Sequence, residues 1–140
     1  MTVEEELRAL EAGEIDPAAF PHLEHVRCAF EMLRRHSFAE TAVRFGNGLR
    51  RLTIKAGKPE IYSETITVAF LALIGERLGR SPQIEWPEFI GNNPDLRDKR
   101  VLELWYEPEE MRSEIARRTF VLPRATLPRG ENGPADASTA

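Results

Sequence analysis

The chain has 140 residues, 41% of them hydrophobic, and its 19 Lys and Arg against 23 Asp and Glu give a net charge of -4. This length is typical of one domain and excludes an assembly of several, while the negative balance excludes a global positive field for nucleic acid. Cys28 is the only cysteine, so a disulfide scaffold is excluded and a reducing cytoplasm is the expected compartment.

Two helices are predicted in the first 35 residues. Thr2 and Glu5 have the spacing of a capping box, which predicts a helix over residues 3–12 that ends at Gly13. Residues 22–35 place apolar side chains on one stripe and charged side chains on the opposite side, as an amphipathic helix does.

A third helix begins at a second pair with capping-box spacing, Ser37 and Glu40, and ends near Gly57. Gly46 and Gly48 lie inside it, where each costs up to about 1 kcal/mol relative to Ala. We expect a neighbouring helix to approach closely at these two positions.

The fourth predicted helix, residues 63–78 with Gly79 as its stop, carries apolar side chains around its whole circumference between residues 66 and 74. This pattern predicts a central helix that is covered on most sides, with a strand as the less favoured alternative. The apolar stretch is about half of the roughly 20 residues that span a bilayer, so we expect no membrane segment.

Proline interrupts the chain every few residues after Arg80, which predicts short helices over 86–92, 100–106 and 108–118 that wrap the core. The expected fold is an all-α, single-domain helical bundle of about four longer helices. Residues 1–123 form that domain in this interpretation, and residues 124–140 form a disordered tail.

Two of the three histidines, His22 and His25, stand three residues apart at the start of the second helix. That spacing places both rings on one side of the helix, and the positive end of the helix dipole favours their neutral form. Neutral imidazole serves as a metal ligand or as a general base. His36 is interpreted as a residue of the helix C-terminus and is left out of the site.

Polar residues 62–67 lead into the apolar fourth helix. Glu64 needs a partner there, because an unpaired buried charge is costly, and either imidazole would serve. We expect Tyr62 to belong to the catalytic group with Glu64. Ser63, Thr67 and Arg27 are the candidate residues for binding a small polar substrate.

Several functions fit this cluster. His22, His25 and Glu64 would form an open divalent-metal site, with Zn or Fe as the ion. Without a metal, an imidazole oriented by Glu64 would act as general acid or base in a lyase, cyclase or hydrolase. Cys28 as nucleophile is the weakest of the catalytic hypotheses. Equally open is a purely structural role, in which Ser63 and Glu64 cap the fourth helix and the histidines pack at a helix end with ordinary hydrogen bonds.

A non-catalytic interaction protein is the alternative from another class. It would dock a partner through a basic group formed by Arg34, Arg35, Arg44, Arg50, Arg51 and Lys55. Acidic residues alternate with these side chains, so a solvated face with ion pairs is favoured, and nucleic acid is not expected as a partner. The sequence does not indicate an oligomeric state.

The chain resembles a group of small bacterial proteins of unassigned function. The resemblance rests on the segments Phe20–Arg27 (FPHLEHVR), Gly48–Arg51 (GLRR), Tyr62–Thr67 (YSETIT) and Ser113–Pro123. Proteins of the group often have a His where this chain has Ser63. The resemblance implies no particular reaction, and a site that used that His would here depend on Glu64 instead.

Overall fold

The computed structural model describes residues 1–124, which contain helices and no strand. The four longer helices are α1 (Val3–Ala12), α2 (His22–Arg35), α3 (Phe38–Lys55) and α4 (Glu64–Gly79). Three short α-helices follow, α5 (Trp86–Asn92), α6 (Pro108–Met111) and α7 (Glu114–Arg118). Four 3-10 helices connect them, over Pro17–Ala19, Pro59–Ile61, Pro94–Arg97 and Lys99–Leu104. The predicted all-α, single-domain bundle is confirmed, and the alternative of a strand over residues 66–74 is wrong.

The helix starts follow the capping signals. Thr2 accepts a hydrogen bond from the backbone N–H of Glu5 at 3.1 Å and donates its own N–H to the Glu5 carboxylate at 2.7 Å, so this capping box is complete. Ser37 accepts from the N–H of Glu40 at 3.1 Å. The Glu40 carboxylate instead binds Arg44, one turn further along α3, so only half of the second box forms.

The two glycines inside α3 lie where other parts of the chain come close. A Cβ atom at Gly48 would lie 2.8 Å from the carbonyl oxygen of Leu10, so α1 packs directly on the backbone of α3 there. A Cβ at Gly46 would lie 3.0 Å from the hydroxyl oxygen of Tyr62. Close helix approach is confirmed at Gly48, whereas a side chain rather than a helix occupies the space at Gly46.

Helix α4 lies at the centre of the bundle, in contact with α2, α3 and α7. Leu71 and Ile74 are almost completely buried, as is the hydroxyl-bearing Thr65 near its start. Ile66 and Ala72 remain exposed, so α4 is covered on most sides rather than all. The placement explains why its sequence is apolar around most of the helix.

The C-terminal segments complete the same core. Phe89, Leu96 and Val101 are buried among side chains of the longer helices, as the wrap hypothesis predicts. Two details differ from the prediction. The segment near residue 100 is a 3-10 helix, and Ser113 divides the expected helix over 108–118 because its hydroxyl caps α7 by accepting the N–H of Ala116.

The last described residue, Arg124, donates its backbone N–H to the carbonyl oxygen of Trp105 at 3.2 Å. The rest of the predicted disordered tail, residues 125–140, lies outside the described residues. None of the helices within residues 1–124 is long and apolar enough to cross a membrane.

Candidate functional site

A cleft of about 350 Å³ opens between α2, α3 and α4. Its floor consists of buried apolar side chains from all three helices: Val26, Ala29, Phe45, Leu71 and Ile74. Among the described residues that line the cleft, Ile66 and Lys99 are the exposed ones, so they mark its mouth. His22, His25 and Thr67 add polar groups to an otherwise apolar lining.

The His22 ring is held from two sides. Its Nε2 lies 2.9 Å from the carbonyl oxygen of Leu96, and since a carbonyl can only accept, Nε2 carries the proton. The ring also packs edge-on against Phe70, with the ring centroids 5.1 Å apart. In the neutral ring this arrangement leaves Nδ1 without a proton and free to accept a hydrogen bond.

The His25 ring lies 6.5 Å from that of His22 and 4.4 Å from that of Phe20, measured between centroids. Burial lowers the pKa of His25 to about 4, and the neighbouring His22 acts in the same direction. A hydrogen bond to the backbone of Phe20 and the charge of Glu24 oppose this shift in pKa. His25 is therefore neutral at neutral pH, but burial rather than the helix dipole is the main cause.

A chain of polar contacts leads from the cleft to the surface. The Tyr62 hydroxyl donates to Oε1 of Glu64 at 2.9 Å, and Arg50 donates to the same oxygen at 3.0 Å while its guanidinium lies 4.6 Å from the Tyr62 ring centroid. Burial raises the pKa of Tyr62 to about 12, although a hydrogen bond with Thr67 acts in the opposite direction. Thr67, which lines the cleft, therefore lies beside the Tyr62–Glu64–Arg50 cluster.

The structure does not assemble the proposed metal ligands. Within residues 1–124, no three His, Cys, Asp or Glu side chains form a group that could hold a metal ion. Glu64 is engaged by Tyr62 and Arg50, and its carboxylate is not among the groups that line the cleft. The hydrogen bonds of Glu64 go to Tyr62 and Arg50, not to an imidazole as expected. The carbonyl of Leu96 orients the His22 ring instead.

Ser63 and Arg27 have structural partners away from the cleft. The buried Ser63 hydroxyl accepts the N–H of Ile66 at 3.2 Å, which caps α4, and it donates to the carbonyl of Ala116 at 3.3 Å. Arg27 forms ion pairs with Glu6 at 2.7 Å and Glu24 at 2.6 Å. Neither side chain lines the cleft, in contrast to the substrate-binding roles predicted for them.

The environment of Cys28 argues against a role as nucleophile. It is buried, and burial raises the pKa of its thiol to about 12. The reactive form of cysteine is the thiolate, so at neutral pH this side chain behaves as a small apolar residue.

The basic residues are engaged within the chain. Arg34 pairs with Glu85, Arg35 with Glu31, Arg44 with Glu40 and Arg50 with Glu64, while Arg51 and Lys55 donate to the backbone carbonyls of Glu11 and Ile15. This supports the interpretation of a solvated face laced with ion pairs. The partners come from α1 and the loop after it, from the starts of α4 and α5, and from neighbouring turns.

Sequence reasoning missed most of the cleft. Phe45, Leu49 and Phe70 read as ordinary core positions of amphipathic helices, and Lys99 lies in a segment without any motif. No local pattern distinguishes a core position that faces a cleft from one that faces another side chain.

Comparison of the chain with protein-family models, with curated proteins and with solved structures found no match in any of the three.

Proposed function

We propose that the protein binds a small, largely apolar molecule in the cleft between α2, α3 and α4. The observation that carries this proposal is the cleft itself, about 350 Å³ in volume and lined mainly by buried and half-buried apolar side chains from three helices. Protein interiors contain few voids larger than a water molecule, and natural ligand sites start at about 300 Å³. At about 30 Å³ for each water-sized group, the cleft accommodates about twelve non-hydrogen atoms.

The lining favours a ligand with an apolar body. The half-buried Leu49 and Phe70 and the exposed Ile66 line the cleft, and their open sides lack the dispersion contacts of a closely packed neighbour. A bound apolar group would supply these dispersion contacts and would leave water at the same time. The free energy gained in this way is the expected source of affinity.

Few polar groups are available to orient the ligand, as is common in small-molecule sites. His22 commits one N–H to a backbone carbonyl, and its other nitrogen can accept a hydrogen bond from a ligand or from a water bound with it. The other polar side chains in the lining are those of His25, Thr67 and Lys99.

Ligand binding fits His25 and Tyr62 better than acid–base catalysis. General bases work best with a pKa near the operating pH, whereas the pKa of His25 is about 4 and that of Tyr62 is about 12. A base so weak and an acid so weak transfer protons poorly at neutral pH. The docking of a partner through the basic face is also disfavoured, because those side chains are engaged by acceptors within the chain.

Titration of the 15N-labelled protein with three eight-carbon probes, octanoate, 1-octanol and octylamine, tests the proposal. We expect saturable amide shifts in α2, α3 and α4 with at least one probe, together with a higher midpoint of thermal unfolding. Ala29→Leu fills the floor of the cleft and should abolish the shifts, with Ala29→Val as a milder variant. Ala72→Leu, on an exposed face of α4 outside the cleft, is the matched control and should bind normally.

The absence of saturable shifts with all three probes would contradict the proposal. Equal binding by the wild-type protein, Ala29→Val and Ala29→Leu would also contradict it, because the ligand would then lie elsewhere.

A further inference from the structure

The charge at the mouth of the cleft indicates which end group a ligand should carry. Among the described residues that line the cleft, Lys99 is the one with a permanent charge, and its side chain is exposed. Within residues 1–124 its ammonium group has no hydrogen bond or ion pair, unlike the basic residues of α2 and α3. A free cation at the opening of an apolar cleft complements an anion.

The acidic groups nearby do not neutralise this charge. Asp98, which precedes Lys99 in the chain, accepts the backbone N–H of Arg100 at 2.9 Å and pairs with its guanidinium at 3.4 Å. No Asp or Glu is among the described residues that line the cleft, so a cationic ligand would find no counter-ion there.

We infer that the ligand is a small monocarboxylate whose carboxylate is bound by Lys99 at the mouth of the cleft and whose apolar body fills the space below. This inference rests on the proposed function and specifies its ligand class. The volume of about 350 Å³ limits the molecule to about twelve non-hydrogen atoms, the size of a medium-chain or an arylalkanoic acid. Phe45 and Phe70 in the lining are compatible with either kind of body.

The same eight-carbon probes separate the end groups, because octanoate, 1-octanol and octylamine share their apolar body. We expect octanoate to bind most tightly and octylamine most weakly. Lys99→Gln should raise the dissociation constant of octanoate about fivefold, the upper range for an exposed ion pair, and should leave 1-octanol binding unchanged. Increasing salt should weaken octanoate binding and leave that of 1-octanol unaffected.

Two further variants sharpen the test. Lys58→Gln removes the same charge from another exposed lysine that does not line the cleft, and it should leave octanoate binding at the wild-type level. Lys99→Glu should reverse the preference, so that octylamine binds more tightly than octanoate. Both positions are exposed, so the variants are expected to fold normally.

The outcomes distinguish a failure of the monocarboxylate inference from a failure of the proposed function. If 1-octanol or octylamine binds at least as tightly as octanoate, or if Lys99→Gln behaves like Lys58→Gln, the monocarboxylate inference is wrong while ligand binding in the cleft stands. If none of the three probes gives saturable shifts that depend on Ala29, the proposed function itself fails.

Discussion

Burial lowers the pKa of His25 from 6.5 to about 4, which changes what this side chain can do at the residue scale. An imidazole with an ordinary pKa exchanges protons near neutral pH, whereas this one stays neutral until the solution is strongly acidic. Burial also keeps the Cys28 thiol and the Tyr62 phenol neutral, in this case by holding them in their protonated forms with pKa values near 12. All three side chains therefore contribute shape and hydrogen bonds rather than charge.

The shifted pKa of His25 makes stability depend on pH. Between pH 6.5 and pH 4 the unfolded chain binds a proton at His25 that the folded protein does not, so acidification favours unfolding. We expect acidification across that window to lower the free energy of unfolding by about 3 kcal/mol through this ring alone. Below pH 4 the ring should contribute no further loss. Urea unfolding at several pH values measures it.

The comparison that isolates this effect uses two variants. His25→Gln should remove this part of the pH dependence, whereas His36→Gln, at the C-terminal end of α2, should retain it. A pH profile that is the same for wild type and His25→Gln would show that the ring is not buried as described.

At the scale of the elements, the absence of a side chain at Gly48 lets the backbones of α1 and α3 approach each other directly. The would-be Cβ position lies 2.8 Å from a carbonyl oxygen of α1, which is a rigid backbone atom that cannot turn aside. A larger residue would separate the two helices and shift the walls of the core around Leu10 and Leu52.

Gly48→Ala is therefore expected to destabilise the protein although Ala is the better helix former. Overpacking typically costs about 1–3 kcal/mol, more than the gain of about 1 kcal/mol in helix propensity. Gly75→Ala is the matched control, because a Cβ there would make ordinary contacts at 3.8 Å with Leu33 and Phe38. We expect the control to gain about 0.5–1 kcal/mol, and equal effects of both variants in urea unfolding would contradict the packing argument.

At the scale of the whole molecule, the C-terminal wrap is joined to the central helix by hydroxyl groups at the start of α4. Thr65 donates to the carbonyl of Thr119 at 2.7 Å and accepts the backbone N–H of Val121 at 3.0 Å. Ser63 adds a bond to the carbonyl of Ala116. The polar start of an otherwise apolar helix thus serves to close the fold, and the Tyr106 hydroxyl strengthens the same region by donating to the carbonyl of Val121.

Thr65→Val should loosen the wrap. The change preserves the shape of the side chain but leaves two backbone groups without their partner, which costs about 2–4 kcal/mol in total. Hydrogen exchange at the amide of Val121 should become faster than in wild type. Thr53→Val removes a bond to the carbonyl of Arg50 on the exposed side of α3 and should change stability by no more than about 0.5 kcal/mol. Unchanged exchange at Val121 would contradict the role of Thr65.

Local signals in the sequence predicted most of the helices, because caps and breakers act within a few residues. The capping box at Thr2 and the apolar circumference of α4 are examples in which the decisive contacts are close in the chain or follow from one helix alone. The same reasoning placed His22, His25 and Thr67 in one site, and these three do line one cleft.

The roles of Glu64, Arg27 and Ser63 depended on partners far away in the sequence. Arg50 on α3 engages Glu64, Glu6 on α1 engages Arg27, and the carbonyl of Ala116 engages Ser63. Periodicity within a helix shows which face a residue lies on, but it does not show what the face meets. Prediction of these contacts needs the packing of the complete bundle.

By itself, the sequence determined an all-α domain with a central apolar helix, because hydrophobic periodicity and capping are properties of short segments. Only the tertiary structure decided that the space between α2, α3 and α4 is left as a cleft with Lys99 at its mouth. The volume between helices depends on how side chains from distant segments meet, so no local pattern encodes it. The same packing buries His25, and desolvation by the assembled core then sets its pKa.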